Sequence, residues 1–267
     1  MSDIYHGFER ILSSGASEAD VTQSPGAAPS RQRITASGSG ISYESGLPLS
    51  FNDGMPVVPR PSFARSLQLV LKRTLLDIPL SLIALIVLLP FLIGIGIAIR
   101  LTSKGPALFA QSRVGRDGRM FRMLKFRTIR AEDCDSSGLS QVTPDDERVT
   151  PIGRFLRTTS IDELPQLWNI LIGDMAIIGP RPMVEGMKAA GVDYREAVPY
   201  YDFRHLVKPG LSGWAQANGL RGPTTDMAVA RQRIDHDCAY VQNVSLMLDI
   251  RIIGQTILRE FVTGSGV

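Results

Sequence analysis

The sequence has few of the residues that build disulfide frameworks and histidine-based metal sites. It contains two cysteines and three histidines in 267 residues. Cys134 and Cys238 lie far apart without metal-ligand spacing, so neither a disulfide framework nor a zinc site is predicted. The histidines at positions 6, 205 and 236 are scattered, which disfavours a histidine metal site. The first residues also lack a basic segment followed by an apolar one, so no signal peptide is predicted.

No charged residue occurs between residues 78 and 99, an apolar run of 22 residues. As a helix this run would extend roughly 33 Å, about one hydrocarbon thickness. Pro90 divides it into 12 residues before and 9 after, so each half reaches only about half way across a bilayer. Basic residues flank both ends, which favours a helix that enters, bends at Pro90 and returns. A kinked spanning helix and a buried core helix are the alternatives.

Composition divides the chain into three parts. Residues 1–60 are rich in Ser, Gly, Ala and Pro and lack sustained periodicity, which predicts a disordered tail. Residues 61–100 contain the apolar run and are predicted to anchor the protein in a membrane, in keeping with 44% hydrophobic residues overall. Residues 101–262 are long enough for one sizeable globular domain.

Acidic residues are nearly absent from residues 100–130, the basic segment, where Asp117 stands against nine basic residues. Gly115, Asp117 and Gly118 mark a turn between two strand-like pieces, around residues 108–113 and 120–126. A solvated face and a nucleic-acid surface are alternatives. The position just after a membrane segment favours anionic headgroups and a polyanionic substrate. The scarcity of aromatic residues, with little interleaving beyond Phe121 and Phe126, disfavours the stacking that binds single-stranded nucleic acid.

Two adjacent carboxylates, Asp162 and Glu163, form the first candidate site. Ser160 and Glu163 have capping-box spacing before an apolar run, so a plain helix cap is the structural alternative. Pro165 predicts an irregular helix start. The box does not require Asp162, and the nearby Arg157 can hold a phosphate as well as a carboxylate. We therefore consider Asp162 as a nucleophile toward a phosphate and Glu163 as a metal ligand beside it.

A rigid turn is a second candidate for phosphate binding. Residues 176–178 indicate a buried strand that ends in Gly179-Pro180-Arg181-Pro182. The flanking prolines fix the Arg181 guanidinium for bidentate contact with a phosphate, and pairing with a carboxylate is the structural alternative. A glycine-rich loop at residues 208–219 permits close approach to phosphate, although alone this is a weak signal.

Further elements follow from the remaining patterns. Helices are predicted at residues 154–171, 183–199, 225–240 and 246–261. Tyr200, Tyr201 and Phe203 are candidates for a headgroup interface. Residues 145–147 form a weak acidic metal motif, with a solvated loop as the alternative.

Six sequence blocks occur in an order that resembles a known family. The blocks are Lys125-Phe126-Arg127-Thr128, Asp162-Glu163-Leu164-Pro165-Gln166, Gly173-Asp174-Met175, Gly179-Pro180-Arg181-Pro182, Lys208-Pro209-Gly210-Leu211-Ser212-Gly213-Trp214-Ala215-Gln216 and Asn243-Val244-Ser245-Leu246-Met247-Leu248-Asp249. Together they resemble the bacterial sugar transferases, the monotopic phosphoglycosyl transferases that start exopolysaccharide and glycan assembly. The resemblance covers residues 71–261, and it is highly specific because the six blocks recur in order.

The resemblance implies an α+β, mainly helical, monotopic membrane protein. A re-entrant helix hinged at Pro90 and interfacial helices would surround a small β element, with the catalytic domain, residues 101–262, on the cytoplasmic face of the bacterial inner membrane. Asp162 would attack the β-phosphate of a UDP-sugar, expel UMP and form an aspartyl phosphosugar. Polyprenyl phosphate, with undecaprenyl phosphate as the first choice, would accept the phosphosugar. Glu163 would help coordinate Mg²⁺.

The resemblance also implies supporting roles and partners. Lys125, Arg157 and Arg181 match basic positions expected to bind phosphates, and Asp249 matches an acidic position near the site. UDP-glucose and UDP-galactose are the leading donors, and membrane lipids are further partners. Nucleic acid is not expected, and a homo-oligomer stays open. Ser212 stands where threonine is common, with little expected consequence.

Two other functions stay open at this point. A membrane-associated glycosyltransferase would move the sugar without its phosphate and release UDP, with Asp145 and Asp146 as its weak metal motif. A non-catalytic membrane adaptor would use the basic segment to clamp anionic lipids or nucleic acid.

Overall fold

The computed structural model describes residues 41–42, 47–135, 146–222 and 224–263, with side chains described from residue 47 to residue 259. Most of the predicted tail and Asp145 of the weak acidic motif lie outside these residues. The described chain is a mixture of helices and short strands, mainly helical, as the sequence predicts.

Four short strands open the described chain and lie within the predicted tail. Strand β1 (Ile41–Ser42) pairs antiparallel with β2 (Pro48–Leu49), and β3 (Phe51–Asn52) forms a hairpin with β4 (Met55–Pro56). Leu49 is fully buried. The Gln242 side chain accepts from the Ser50 N–H at 2.8 Å and donates to the Ser50 carbonyl at 2.8 Å. The segment from residue 47 to residue 57 is therefore part of the folded domain.

A single long helix carries the apolar run. It comprises α1 (Phe63–Leu71), a π-helical turn (Lys72–Asp77) and α2 (Ile78–Thr102), with Pro90 inside α2. These 40 residues are long and apolar enough to cross a membrane, and only 11% of the most apolar window is buried in the protein. A core helix would be mostly buried, so the structure argues against that alternative.

The basic segment folds as the predicted hairpin. Strands β5 (Leu108–Val114) and β6 (Met120–Phe126) pair antiparallel, with Phe109 opposite Lys125 and Arg113 opposite Phe121. The turn at Arg116–Gly118 contains Asp117 at φ 56° and Gly118 at φ 73°. Because side chains alternate along a strand, residues 109, 111 and 113 share one face of the hairpin with residues 121, 123 and 125.

The candidate carboxylates lie between two short helices instead of inside one. Helix α3 (Pro151–Thr158) begins with the Thr150 hydroxyl accepting from the Gly153 N–H at 3.0 Å. A 3₁₀ turn (Ile161–Glu163) follows, and α4 (Gln166–Ile172) starts after Pro165. The predicted continuous helix over residues 154–171 is therefore broken, and Pro165 precedes the first residue of α4.

The segment after strand β7 (Ala176–Ile178) differs from the prediction. Instead of a helix over residues 183–199, strands β8 (Lys188–Ala189) and β9 (Val192–Asp193) form a hairpin before the short helix α5 (Tyr194–Ala197). Ala190 at φ 48° and Gly191 at φ 86° make the tight turn, which a helix does not allow.

Tyr200, Tyr201 and Phe203 lie at or within a 3₁₀ turn (Tyr201–Leu206). All three are buried in the main core, so their predicted place at a headgroup interface is wrong. The Tyr200 hydroxyl donates to Asp235 at 2.6 Å, which satisfies its polar end inside the protein.

The remaining elements complete the core. Strand β10 (Gly210–Ser212) pairs parallel with β7, and the short helix α6 (Trp214–Ala217) follows it. Helices α7 (Met227–Asn243) and α8 (Leu246–Thr263) match the two predicted C-terminal helices. The main hydrophobic core lies among β7, the residues around α5 and the inner faces of α7 and α8.

Candidate active site

The two candidate carboxylates are presented by a strained turn and not by a capped helix. Ser160 has φ 55°, in the left-handed region, and its side chain makes no capping hydrogen bond. The helix cap that was the structural alternative is therefore not formed. The cap does not form because the Glu163 carboxylate, which would complete it, instead binds two cations from distant parts of the chain.

Glu163 is held by both of those cations. The Lys125 ammonium lies 2.8 Å from Glu163 Oε1, and Arg181 binds the carboxylate through both terminal nitrogens, with Nη1 at 3.1 Å from Oε2. Burial alone would raise the pKa of Glu163, but Arg181 and Lys125 outweigh it and hold the pKa well below its usual range. Glu163 therefore stays ionised and keeps the two cations ordered.

Asp162 differs from its neighbour in having no partner among the described residues. The residue is 7% exposed, and no group in that part of the chain donates a hydrogen bond to its carboxylate. Burial raises the pKa of Asp162, Lys125 opposes this effect, and the adjacent Glu163 adds to it. Arg157 and Arg181 also lie close enough to lower the pKa. The result is a buried carboxylate in a field of positive charges with its oxygen atoms uncommitted.

Lys125 is fixed by a clamp between β6 and α4. The Asn169 side chain accepts from the Leu124 N–H at 2.9 Å and donates to the Arg122 carbonyl at 2.8 Å. These two bonds satisfy backbone groups of β6 on either side of Met123. Asn169 itself is buried, with 1% of its surface exposed. The strand that carries Lys125 is thereby locked to the helix that follows Glu163.

Arg181 lies in a turn in which three carbonyl groups, those of Pro180, Arg181 and Pro182, are held from outside. The Gly210 N–H donates to the Pro180 carbonyl at 2.9 Å. The Arg204 guanidinium donates to the Arg181 carbonyl at 2.6 Å, and the Arg113 guanidinium reaches the Pro182 carbonyl at 3.4 Å. Because the two prolines have no N–H to donate, these outside donors fix the turn.

The glycine-rich loop supports this turn. A Cβ atom at Gly179 would overlap the Lys208 carbonyl, and one at Gly210 would overlap the Gly179 backbone. A Cβ atom at Gly213 would overlap the Gly179 carbonyl. The predicted close backbone approach is thus an approach to the Gly179–Pro182 turn itself.

The structure brings together most of the predicted site residues. Lys125, Glu163 and Arg181 are in contact, and Arg157 acts electrostatically on Asp162. Asp249 makes its contacts with other residues: it pairs with Lys72 at 2.6 Å and accepts a hydrogen bond from the Tyr240 hydroxyl at 2.8 Å.

Arg113 is a basic residue of the site that the sequence did not single out. Burial, together with the charge of Arg181, lowers the pKa of Arg113 to about 10, and Glu163 opposes this shift. The strand alternation that places residue 113 on the same face as Lys125 is the signal that identifies it.

The donor set fits a sparsely coordinated Mg²⁺. No group of three or more His, Cys, Asp or Glu residues could hold a metal within the residues that the structure describes. Mg²⁺ is commonly held by one or two carboxylates together with substrate phosphates. Glu163, beside Asp162, is the carboxylate that would supply the protein's hard oxygen ligands to such an ion.

Comparison with known proteins places the chain in a family. A family model described as bacterial sugar transferase matches residues 67–263. The exopolysaccharide production protein PSS of Rhizobium leguminosarum bv. phaseoli is 48% identical over 200 residues, which are 75% of this chain and 100% of that protein.

Two further relatives are named UDP-glucose:undecaprenyl-phosphate glucose-1-phosphate transferase. The Xanthomonas campestris pv. campestris protein is 43% identical over 71% of this chain and 39% of its own length. The Escherichia coli K12 protein is 41% identical over 79% of this chain and 44% of its own length. The chain thus spans less than half of these two relatives and all of the Rhizobium protein. The chain belongs to the bacterial sugar transferase family.

Proposed function

We propose that this protein transfers hexose-1-phosphate from a UDP-sugar to polyprenyl phosphate and releases UMP, as a first membrane step of exopolysaccharide biosynthesis. The observation that carries the proposal is the division of roles in the Asp162–Glu163 pair. Glu163 is paired with two cations, whereas the adjacent Asp162 is buried, lies in a field of positive charges and has no partner among the residues that the structure describes. Relatives named for UDP-glucose and undecaprenyl phosphate make UDP-glucose the first donor to test, followed by UDP-galactose.

In the first half-reaction, an Asp162 carboxylate oxygen attacks the β-phosphorus of the UDP-sugar. The bond between that phosphorus and the bridging oxygen breaks, and the electron pair leaves with UMP. An aspartyl phosphosugar remains on Asp162. A carboxylate nucleophile of this kind divides one difficult transfer into two easier ones.

In the second half-reaction, a phosphate oxygen of polyprenyl phosphate attacks the same phosphorus. The acyl phosphate bond breaks, and the Asp162 carboxylate is regenerated. The product is a polyprenyl diphosphosugar, and no proton transfer is needed in either half.

The cations supply the electrostatic part of the reaction. Lys125, Arg157 and Arg181 would neutralise the diphosphate, whose negative charge otherwise repels an anionic nucleophile. Glu163, with Asp162 beside it, would hold Mg²⁺, which neutralises further phosphate charge when bound. Lys125 and Arg181 would then release the Glu163 carboxylate and bind the substrate phosphates in its place.

The contacts of the long helix support a re-entrant, monotopic attachment at the cytoplasmic face of the inner membrane. At the start of the apolar run, Asp77 accepts from the Ile177 N–H at 2.9 Å. At its end, Arg127 donates to the Ser103 carbonyl at 2.9 Å. Both halves of the helix also pack on the same domain, Leu85 on the main core and Ile99 on a second cluster with Phe126. A straight span would carry one end away from that domain, and a turn at Pro90 would not.

The test uses purified protein with UDP-glucose and undecaprenyl phosphate. We expect UMP release, a phosphohexose on the peptide that contains Asp162 when the acceptor is omitted, and loss of both in Asp162→Asn. Asp117→Asn, at an exposed acid on the β5–β6 turn, is the matched control and should keep full activity. UDP release, or full transfer by Asp162→Asn, would show that the proposed reaction is incorrect.

A further inference from the structure

A cavity of about 280 Å³ lies at the base of the membrane helix, away from the candidate carboxylates. The π-helical turn Lys72–Asp77 forms one wall, and β7, the Val207–Lys208 segment and the Arg116 turn form others. Helix α4 lies between the two sites: it begins at Gln166, three residues after Glu163, and ends at Ile172. The next residue, Gly173, lies beside Arg73 and Lys208. Seven residues of helix correspond to about 10 Å. The cavity is therefore distinct from the Asp162–Glu163 site.

The charges that line the cavity do not balance. Four lining side chains are basic and one, Asp77, is acidic. Three of the basic residues are committed to the protein, and one of them, Arg116, pairs with the adjacent Asp117 at 3.3 Å. Lys72 binds Asp249, the Tyr240 hydroxyl and the Ile178 carbonyl, each at 2.6 Å. Arg73 binds the Leu171 carbonyl at 2.6 Å and also the Ile170 carbonyl, at the end of α4.

Lys208 is the cation that remains uncommitted. Its ammonium has no hydrogen-bond or ion-pair partner among the residues that the structure describes. Lys208 Nζ and Arg73 Nη2 both lie 3.4 Å from the position that a Cβ atom at Gly173 would occupy. Burial lowers the pKa of Lys208, and the like charges of Arg73 and Arg116 lower it further, while the carboxylates of Asp77 and Asp174 oppose this shift. A bound anion would relieve this repulsion and pair the ammonium.

The place and the lining of the cavity identify the kind of anion. The cavity lies directly before Ile78, the first residue of the apolar run, at the level where lipid headgroups meet a membrane helix. Leu69 and Val70 line it on the side of the helix, and Val70 is 57% exposed. Its volume is just below the range of roughly 300–1,000 Å³ typical of small-molecule pockets. This size suits a headgroup better than a sugar nucleotide.

We infer that this cavity binds the phosphate group of an anionic membrane lipid, with Lys208 as the pairing cation and Arg73 and Arg116 beside it. The lipid tail would lie along the exposed apolar side of the helix. This inference rests on the membrane attachment of the proposed function and is independent of its phosphoryl chemistry.

The test measures lipid retention by native mass spectrometry after release from nanodiscs of phosphatidylcholine and phosphatidylglycerol. Ammonium acetate at about 0.5 M reduces the Debye length to about 4 Å and suppresses general attraction to the bilayer. We expect the wild-type protein to retain phosphatidylglycerol. Lys208→Met should lower the preference for phosphatidylglycerol at least about tenfold, since a hydrogen bond to a charged group is lost. Val70→Trp should fill the cavity from its exposed side and lower the preference to a similar extent without a charge change.

Lys104→Met is the matched control, because this exposed lysine follows the other end of the membrane helix and is not part of the cavity. Its lipid preference should equal that of the wild type. Equal retention by Lys208→Met, or an equal loss in Lys104→Met, would overturn the site.

Competition distinguishes the sources of the phosphate. If one equivalent of undecaprenyl phosphate displaces phosphatidylglycerol, the acceptor lipid is an occupant of the cavity. If phosphatidylglycerol stays bound, the occupant is a phospholipid. Both outcomes uphold a lipid site. Displacement by inorganic phosphate at equal concentration would overturn the lipid assignment. UMP release is measured on the same samples. UMP release without lipid retention would contradict only the lipid site. Lipid retention without UMP release would contradict only the proposed function.

Discussion

Arg204 is expected to position Arg181 through a buried ion pair. The Arg204 and Asp237 side chains are 1% and 3% exposed and lie 2.8 Å apart. The same guanidinium donates to the Arg181 carbonyl at 2.6 Å and stacks over the Tyr201 ring at 5.4 Å. One side chain therefore serves both the stability of the core and the geometry of the turn that presents Arg181.

Replacing Arg204 with Met leaves the Asp237 carboxylate buried without its main partner. Breaking a buried pair in this way costs about 3–5 kcal/mol, and the nearby Arg233 places the expected cost near 3 kcal/mol. For a chain of this size, such a loss lowers the melting temperature by about 6–12 °C. The measurement is thermal unfolding of the detergent-solubilised protein.

The double variant Arg204→Met/Asp237→Leu separates stability from positioning. It removes the buried charge, and replacing a buried pair by apolar residues is often neutral, so the melting temperature should return to near the wild-type value. The bond to the Arg181 carbonyl is still absent, so kcat for UMP release should stay at least about tenfold low, because small displacements of a positioning group are costly. Recovery of both properties would refute the positioning role. An unchanged melting temperature in the single variant would refute the burial argument.

Three further outcomes are expected. Burial raises the pKa of Asp162, and the charge of Lys125 opposes this effect. Lys125→Met removes that charge, so the acid limb of the pH profile of kcat/KM should move to higher pH. An unmoved limb would contradict this electrostatic role. Gly179→Ala should cost stability and activity because its Cβ overlaps the facing backbone, whereas Gly254→Ala, with open space around it in α8, should be neutral or stabilise by up to about 1 kcal/mol. Cysteines placed at both ends of the membrane helix should react with thiol reagents from the cytoplasmic side only, and Pro90→Leu should make the N-terminal end reactive from the periplasm; periplasmic labelling of the unaltered helix would contradict re-entry.

The elements that the sequence predicts well are those whose signals are local. The β5–β6 hairpin has turn residues between two alternating strands, and β7 is a short apolar run before a proline turn. Helices α7 and α8 follow their periodicity within a few residues. In each case the interactions that decide the structure join residues close together in the chain.

The elements that the sequence misses depend on partners far away. The capping box at Ser160 fails because Lys125 and Arg181 compete for Glu163. Asn169 clamps β6 across more than forty residues, and no local pattern distinguishes it from a surface asparagine. Residues 47–57 have the composition of a disordered tail, yet the amide of Gln242 pairs with their backbone and Leu49 fills the core.

The engagement of Glu163 gives the site a reason to be ordered before substrate arrives. Lys125 and Arg181 carry like charges and would repel each other if Glu163 did not lie between them. In the proposed reaction a diphosphate brings more negative charge than one carboxylate, so both cations gain by exchanging Glu163 for the phosphates. The exchange would free Glu163 to hold Mg²⁺, an ion that is commonly bound by one or two carboxylates together with substrate phosphates. In the proposed reaction Asp162 would need no such exchange, because no side chain in the described part of the chain is bonded to its carboxylate, which would leave it free to act as the nucleophile.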